Sequence, residues 1–391
     1  MENFEFYSPT KVFFGKETHN SVGEIIEGYG FKKILLIYGK GSIFKTGLYE
    51  QIVASLQKSQ IVFCGLGGAE PNPKLSFVKK AVTLCQTENI EMILAVGGGS
   101  VIDTAKLAAV AVKNNADPWD FPSRKKAAAG ALPVATILTL SASGSETSGS
   151  SVITNEELML KRGFTSEYNR PLFSIMNPEL TYTVDKYQTG CGIVDIMMHT
   201  LERYFSVGEA VDLTDRIAES LLKSVIAAGR KVIENPCDYE ARATLMLSGS
   251  LSHNDLTGLG RACFLTVHQM EHDLSGTYDF VAHGAGLSVL FPAWAKYVYK
   301  HNVDRFCQYA VRVWDIPMNH DDPLETALRG ILETENYFKE TGMPTRLSEL
   351  GIDDKKWNEM AEKCTFWGER RLPSFIPLGK DEIVDVFRLC E

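Results

Sequence analysis

The hydrophobic residues in the first half of the chain form short runs that end at glycines. Three such runs, at residues 31–38, 60–66 and 91–96, have the length and continuous apolar character of buried parallel strands. Between the second and the third run, residues 74–87 place apolar side chains at helical spacing. The order strand, glycine turn, helix, strand predicts βαβ units. Further strands are predicted at residues 132–140 and 172–176.

The pattern changes near residue 183. From there onward the apolar positions recur at helical spacing almost throughout, as at Ile217, Leu221 and Val225. A chain of 391 residues also exceeds the size at which one hydrophobic core usually divides. We therefore predict two domains. Residues 1–183 form an α/β domain with a parallel, Rossmann-like sheet, and residues 184–391 form an all-helical domain.

The composition is that of an ordinary globular protein, with 45% hydrophobic and 23% charged residues. A net charge of −9 argues against a nucleic-acid partner, because binding to a phosphate backbone needs a basic face. The first residues lack the basic and apolar regions of a signal peptide, and no apolar run is long enough to span a bilayer. We therefore expect a soluble, cytoplasmic protein that acts on a small molecule and has no membrane partner.

A glycine-rich turn at residues 97–100, three glycines and a serine, lies between the strand at 91–96 and a helix-like segment. Glycines let the backbone approach a pyrophosphate, and a helix N-terminus offers free N–H groups to it. A tight turn without a ligand explains the same residues, and the spacing is not the GxGxxG fingerprint of dinucleotide-binding folds. Its position at the carboxyl end of a strand, where open α/β sheets bind ligands, favours a phosphate site.

A second turn, at residues 38–42, contains Gly39, Lys40 and Ser42 but no acidic residue. In many dinucleotide folds an acid in such a turn holds the ribose 2′-hydroxyl, and its charge would repel a 2′-phosphate. The turn therefore favours NADP(H) over NAD(H), and a solvated turn without a ligand is the alternative. A serine-rich loop at residues 140–148 follows another predicted strand and supplies further hydrogen-bond donors.

The candidate metal ligands lie in the C-terminal half. Asp195 and His199 stand four residues apart in an apolar, helix-like segment, so both side chains lie on one helix face and can share an ion. A carboxylate in such surroundings is costly unless it is paired or binds a metal. A cluster of histidines follows at His268, His272 and His283. One carboxylate and three imidazoles suit Fe(II) or Zn(II), but spacing alone leaves open which two of the cluster bind.

Several motifs occur in a fixed order along nearly the whole chain. They are Phe13-Phe14-Gly15, Pro71-Asn72-Pro73, the turn at 97–100 with Asp103 and Lys106, Gly144-Ser145-Glu146, and the segments 195–204 and 268–283. In this combination the chain resembles the iron-containing (group III) alcohol dehydrogenases, and within them the butanol-dehydrogenase-like NADPH-dependent aldehyde reductases. The resemblance implies a dinucleotide-binding α/β domain, a helical metal-binding domain that also binds the substrate, and a homodimer.

The resemblance also assigns the site residues. It implies metal ligation by Asp195, His199, His268 and His283, and it leaves His272 near the substrate for proton transfer or orientation. The residues that would contact the cofactor are Gly39, Ser42, Asn72, Gly98, Gly99, Ser100, Thr139, Ser143, Ser148 and Lys161. NAD-preferring members tend to carry Asp where this chain has Gly39. This again favours NADP(H), with NAD(H) as the alternative.

The predicted activity is hydride transfer between NADP(H) and an aldehyde or primary alcohol such as butanal or butanol, with one Fe(II) or Zn(II) ion as Lewis acid. The alternatives are an NAD- and zinc-dependent lyase of the dehydroquinate-synthase type, a glycerol or diol dehydrogenase of the same superfamily, and a non-catalytic nucleotide-binding protein. The lyase normally needs a cluster of basic residues around its substrate. The segment around Asp195 and His199 is apolar instead.

Overall fold

The computed structural model describes residues 1–208 and 211–391. The chain divides into two compact units. One unit comprises Tyr7–Val184, and the other comprises Asp185–Glu391 together with Met1–Phe6. The first unit contains the strands and the second is built from helices, which confirms the predicted fold class.

The first unit is built on a parallel sheet. Its strands are β1 (Lys11–Phe14), β2 (Lys33–Gly39), β3 (Val62–Ala69), β4 (Met92–Gly97), β5 (Val134–Leu138), β6 (Ser150–Asn155), β7 (Leu160–Thr165) and β8 (Phe173–Met176). Its α-helices are α1 (Val22–Gly28), α2 (Ser42–Lys45), α3 (Leu48–Lys58), α4 (Leu75–Thr87) and α5 (Gly99–Asn114). The sheet has the order β1-β8-β5-β4-β2-β3 with all neighbours parallel, and β6 and β7 form a separate antiparallel hairpin.

The apolar runs at residues 31–38 and 91–96 correspond to the inner strands β2 and β4, whereas the run at 60–66, predicted as a buried strand, is the partly exposed edge strand β3. Strand β4 is buried along its whole length and β2 over most of it. Strand β3 lies at the edge of the sheet, which explains why the side chain of Val62 is 59% exposed. The sequence does not predict β1 or the β6–β7 hairpin, because β1 is only four residues long and β6 mixes hydroxyl and apolar residues.

The carboxyl ends of β2, β4 and β5 lie side by side, because β4 pairs in parallel with both of its neighbours. In the register Tyr38 stands opposite Val96, and Gly97 stands opposite Leu138. The turns that follow these three strands therefore share one edge of the sheet. This is the edge at which open α/β sheets bind ligands.

The second unit is helical. Its α-helices are α6 (Lys186–Tyr204), α7 (Asp212–Glu234), α8 (Tyr239–His253), α9 (Thr266–Thr277), α10 (His283–Val298), α11 (Val303–Trp314), α12 (Pro323–Glu340), α13 (Trp357–Cys364) and α14 (Lys380–Arg388). Among the described residues, no helix combines the length and the apolar character needed to cross a membrane.

Helix α6 lies at the centre of this unit. Every residue from Thr189 to Tyr204 is buried, and helices α7, α8 and α10 pack against it. Its N-terminus is capped by Asp185, whose carboxylate accepts a hydrogen bond from the Gln188 N–H at 2.8 Å. Because such a helix has no solvent-facing side, its charged residues must find partners inside the protein.

Helix α10 begins in close contact with α6. A Cβ atom at Gly284 would lie 2.2 Å from the carbonyl oxygen of Cys191, so only glycine permits this approach. The contact brings His283, the first residue of α10, to the turn of α6 that carries Asp195.

Candidate metal centre and cofactor site

Asp195 and His199 lie on successive turns of α6, and only 4% and 3% of their surfaces are exposed. The Nδ1 atom of His199 lies 2.9 Å from the backbone carbonyl oxygen of Asp195. A carbonyl oxygen only accepts hydrogen bonds, so Nδ1 carries the proton and Nε2 keeps its lone pair. The helix itself therefore leaves the Nε2 lone pair of His199 available to an ion.

Two further histidines approach the Asp195 carboxylate from other helices. The Nε2 atoms of His268, on α9, and His283, at the start of α10, lie 3.5 Å and 3.7 Å from Asp195 Oδ1. The Nδ1 atom of each ring contacts a buried carboxylate, which is Glu202 for His268 and Glu271 for His283. Three helices thus contribute one carboxylate oxygen and three imidazole rings to one small region.

The residues present fit a divalent metal ion. Asp195 Oδ1 and His268 Nε2 are buried and make no hydrogen bond within the described part of the chain, although unpaired buried polar atoms are costly. Ligand atoms of Asp195, His199 and His268 all lie within 4.8 Å of one another. His283 lies outside this group, but its Nε2 atom is 3.7 Å from Asp195 Oδ1. With His283 included, the set of one oxygen and three nitrogens matches the preferences of Zn(II) and Fe(II).

The protonation states of the two inner histidines differ. Burial lowers the pKa of His199 well below 6.5, and the nearby His253, His268 and Arg203 lower it further, so this ring is neutral. Burial also lowers the pKa of His268, but the nearby carboxylates of Glu202 and Asp195 outweigh it and raise the pKa to about 9. His268 must therefore lose a proton before its Nε2 atom can bind an ion.

His272, the remaining member of the histidine cluster, lies in a second group. Its ring centroid is 5.8 Å from that of His283, and ligand atoms of Glu271, His272 and His283 lie within 4.8 Å of one another. His272 and His283 are partly exposed, whereas Glu271 is buried. The structure therefore brings His272 to the outer side of the predicted ligand set.

Sequence reasoning missed three residues of this region: Glu202, Glu271 and His253. The His253 ring packs edge-on against His199, with the centroids 3.9 Å apart. The sequence does contain a pattern that could have identified the two carboxylates. Glu202 follows His199 by three residues and Glu271 follows His268 by three, a spacing that places both residues of each pair on the same helix face. A buried acid at that spacing from a candidate ligand is a candidate partner for the site.

In the first unit, Lys106 of α5 anchors the serine-rich loop. Its Nζ atom, fully buried, donates to Ser145 Oγ at 2.8 Å and to the carbonyl oxygens of Ser148 at 2.9 Å and Ser150 at 2.8 Å. Ser145 Oγ donates to Asp103 Oδ1 at 2.6 Å. Burial lowers the pKa of Lys106 to about 8, against the opposing effect of Asp103. The helix that begins at the glycine turn and the serine-rich loop are therefore held as one body.

The predicted cofactor contacts fall into different environments. Lys161 Nζ donates to Asn72 Oδ1 at 3.0 Å in a buried pair, so the fold brings these two together. Ser42 is exposed at the start of α2. Ser148 is buried, and its Oγ accepts a hydrogen bond from the Ser150 N–H at 3.3 Å, so its hydroxyl is engaged within its own loop.

The two glycine turns differ in whether the surrounding protein leaves room for a side chain. A Cβ at Gly97 would lie 2.4 Å from Val101 Cγ2, and one at Gly99 would lie 2.3 Å from Ser143 Oγ. Packing within the protein therefore accounts for these glycines even without a ligand. A Cβ at Gly39 would meet only Ala69 O at 3.7 Å, and Gly41 has open space around it. The fold does not need glycine at these two positions, so the turn after β2 leaves room for a ligand.

An ion pair flanks the turn after β2. Lys40 Nζ lies 2.6 Å from Glu70 Oε1, at the carboxyl end of the neighbouring strand β3. Both side chains are well exposed. The turn itself lacks an acid, as the sequence indicates, but the adjacent strand brings a carboxylate to Lys40.

Two family models together match nearly the whole chain. The model described as iron-containing alcohol dehydrogenase matches residues 9–178, and the model described as Fe-containing alcohol dehydrogenase family, C-terminal, matches residues 189–390. NADH-dependent butanol dehydrogenase A of Clostridium acetobutylicum is 40% identical over 389 residues, which covers 99% of each chain. NADPH-dependent aldehyde reductase YqhD of Escherichia coli is 33% identical over 378 residues, which covers 95% of each.

Solved structures agree with this result. A crystal structure described as NADH-dependent butanol dehydrogenase A from Thermotoga maritima superposes with a TM-score of 0.96 at 37% identity, covering 100% of this chain and 99% of the other. The crystal structure of YqhD from E. coli K-12 superposes with a TM-score of 0.94 at 30% identity, with the same coverage. The similarity therefore extends over both units.

Proposed function

The chain belongs to the iron-containing alcohol dehydrogenase family, and from this premise we propose that it reduces short aldehydes such as butanal to primary alcohols with NADPH, and catalyses the reverse reaction. It is an oxidoreductase of alcohols or aldehydes that uses a nicotinamide cofactor and a divalent metal. We propose the cofactor form, the substrate size and the roles of the catalytic and binding residues. We also propose that the protein is a homodimer and is cytoplasmic.

The observation that carries the proposal is the convergence of three imidazole rings on the buried Asp195 carboxylate. Its Oδ1 atom and His268 Nε2 are both buried and without hydrogen bonds within the described residues. We assign Asp195, His199, His268 and His283 as the metal ligands. When bound, the metal supplies a Lewis acid for the substrate oxygen and the nicotinamide supplies or accepts the hydride.

His272 is our choice for proton transfer at the substrate oxygen. Its ring is partly exposed and lies beside His283, while His199 and His268 are buried. Imidazole is the side chain that most often donates or accepts protons in enzyme active sites. His272 would thus connect the substrate oxygen with solvent.

The first unit would hold the cofactor at the shared edge of β2, β4 and β5, through Gly39, Ser42, Asn72, Gly98, Gly99, Ser100, Thr139, Ser143, Ser148 and Lys161. The open space at Gly41 and the absence of an acid within the turn favour a 2′-phosphate and hence NADP(H), and Lys40 would meet that phosphate if it left its ion pair with Glu70. The relatives named above include an NADH-dependent and an NADPH-dependent enzyme, so measurement of both cofactors is part of the test.

The test is an activity panel on protein stripped of metal and reloaded separately with Fe(II) and Zn(II). We expect steady oxidation of NADPH with butanal, faster than with NADH, and about one metal ion per chain. Glycerol and 1,3-propanediol, tested in the oxidation direction, separate a diol dehydrogenase from the proposed activity. The proposal would be overturned if metal-loaded protein bound neither NADPH nor NADH. It would also be overturned if the protein bound a cofactor but did not oxidise it in the presence of the aldehydes tested.

A further inference from the structure

Two buried carboxylates connect the three helices that carry the proposed metal ligands. We propose that Glu202 and Glu271 are positioning residues, which hold His268 and His283 with Nε2 directed to the metal and thereby set how tightly this chain retains its ion. The inference rests on the metal site of the proposed function. It concerns residues that do not themselves bind the ion.

Glu202 links α6 to α9. Its Oε1 atom accepts a hydrogen bond from the Val267 N–H, and its Oε2 atom accepts one from the His268 N–H at 3.1 Å and contacts His268 Nδ1. Helix α9 begins at Thr266, and Leu265, its N-cap residue, provides no side-chain cap. Glu202 therefore caps α9 from a neighbouring helix and fixes the ring of the ligand on its first turn.

Glu271 links α9 to α10. It is fully buried, and its Oε2 atom contacts Nδ1 of His283. The position depends on glycine across the interface, because a Cβ atom at Gly286 would lie 2.8 Å from Glu271 Cγ and 3.0 Å from Oε1. Gly286 thus leaves the space that the Glu271 side chain occupies. Through Glu202 and Glu271, the helices of all four proposed ligands are joined in the order α6, α9, α10.

His199, the third histidine of the proposed site, needs no carboxylate to orient its ring. His199 lies on the same helix as Asp195, and the backbone carbonyl of Asp195 already engages its Nδ1 atom. His268 and His283 lie in the first turns of α9 and α10, where no preceding helical turn presents a carbonyl, and a carboxylate contacts each ring instead. A carboxylate that accepts a hydrogen bond from Nδ1–H fixes the tautomer and makes Nε2 a stronger electron-pair donor to the metal. Loss of such a partner typically weakens metal binding about 10- to 100-fold.

The experiment compares Glu202→Gln and Glu271→Gln with Glu219→Gln. Glu219 is a suitable control because it is also buried in the helical unit, where it accepts a hydrogen bond from the Tyr204 hydroxyl at 2.8 Å. The dissociation constant for Co(II) is measured by competition with a chromophoric chelator, and the visible spectrum of the Co(II)-loaded protein reports the ligand geometry. We expect about 10- to 100-fold weaker binding and an altered spectrum for the first two variants, with neither change for the control.

Two further variants keep the test decisive. Gly286→Ala keeps Glu271 but forces its side chain to move, because the added methyl group occupies its space. We therefore expect weaker Co(II) binding, similar to that of Glu271→Gln. If Glu202→Gln fails to fold because α9 loses its cap, Glu202→Asp retains the charge on a shorter side chain, and weaker binding is again expected. Folded Glu202 and Glu271 variants that bind Co(II) as tightly as the wild type would overturn the inference.

Failure of the proposed function has a different signature. In that case wild-type protein would not bind Co(II) stoichiometrically, or His268→Ala would bind it as tightly as the wild type. Weak binding confined to the Glu202 and Glu271 variants, in protein whose wild type binds one ion, supports the positioning role.

Discussion

Asp195 Oδ1 and His268 Nε2 lie 3.5 Å apart in the core of the helical unit, and neither atom makes a hydrogen bond within the described residues. The two atoms belong to different helices, α6 and α9, and Glu202 of α6 accepts hydrogen bonds from the first turn of α9. The closeness of a buried carboxylate oxygen and a buried imidazole nitrogen supports the metal site proposed above. This pair, two further buried networks and one exposed ion pair each make a testable prediction.

Removal of the metal should destabilise the protein. A ligand that binds only the folded state adds about 4 kcal/mol when its free concentration is about 1,000 times its dissociation constant. We expect a chelator to lower the melting temperature of the metal-loaded wild type. His268→Ala should melt near the chelated wild type and should not respond to the chelator. Equal melting temperatures for the wild type with and without chelator, at a measured metal content of one ion, would contradict this prediction.

Lys106→Met should unfold more easily and bind the cofactor less tightly. The substitution leaves the Asp103 carboxylate buried and releases the serine-rich loop, and breaking a buried charge pair typically costs about 3–5 kcal/mol. Urea unfolding measures the stability, and titration with NADPH measures the affinity. Lys113→Met, an exposed position on the same helix, is the control and should change neither. Wild-type stability in Lys106→Met would show that the network is dispensable.

The stability of the metal-free protein should fall in acid partly because of Asp215. Burial alone would raise its pKa, but the hydrogen bonds and charge of Arg305, with Gln308 and Arg261, lower it to about 2. The unfolded chain then binds more protons than the folded chain between the two pKa values. The contribution of Asp215 is therefore present above about pH 4 and is lost as the pH falls through about 2.

The substitution Asp215→Asn tests this dependence. We expect the variant to be less stable at pH 7, because Arg305 and Arg261 lose their carboxylate, and to lose less stability than the wild type between pH 4 and pH 2. Urea midpoints over that range provide the measurement. Asp212→Asn, at an exposed carboxylate on the same helix, should follow the wild-type curve. Parallel curves for Asp215→Asn and the wild type would refute the assignment.

The Lys40–Glu70 pair should set the balance between the two cofactors. Lys40→Gln removes the charge that would meet a 2′-phosphate, so the KM for NADPH should rise several-fold while that for NADH stays near its wild-type value. Glu70→Gln frees Lys40 and should shift the ratio toward NADPH. Lys58→Gln, which disrupts the exposed Lys58–Glu24 pair elsewhere on the same unit, is the control. An unchanged NADPH to NADH ratio in both variants would exclude a role for the pair.

Much of the fold was predictable because its signals are local. Strands β2 and β4 are buried on both faces, so their sequences are continuous apolar runs, and α4 keeps the helical spacing seen at residues 74–87. Strand β1 and the β6–β7 hairpin were not predictable, because short strands with exposed or hydroxyl residues lack such a run. The edge strand β3 was predicted from its apolar residues, although its exposure depends on its place in the sheet.

For the site, the sequence by itself determined the pair Asp195 and His199, because backbone hydrogen bonds fix the helical repeat and place residues four apart on one face. It also supplied the histidine cluster, and only the family resemblance selected His268 and His283 from it. The tertiary structure alone decided that the Nε2 atoms of these two rings point at Asp195 and that Glu202 and Glu271 hold the opposite nitrogens. Glu202 and His268 are 66 residues apart, and Lys106 and Ser145 are 39 apart. Contacts over such separations arise from the packing of whole helices and loops, which no local spacing encodes.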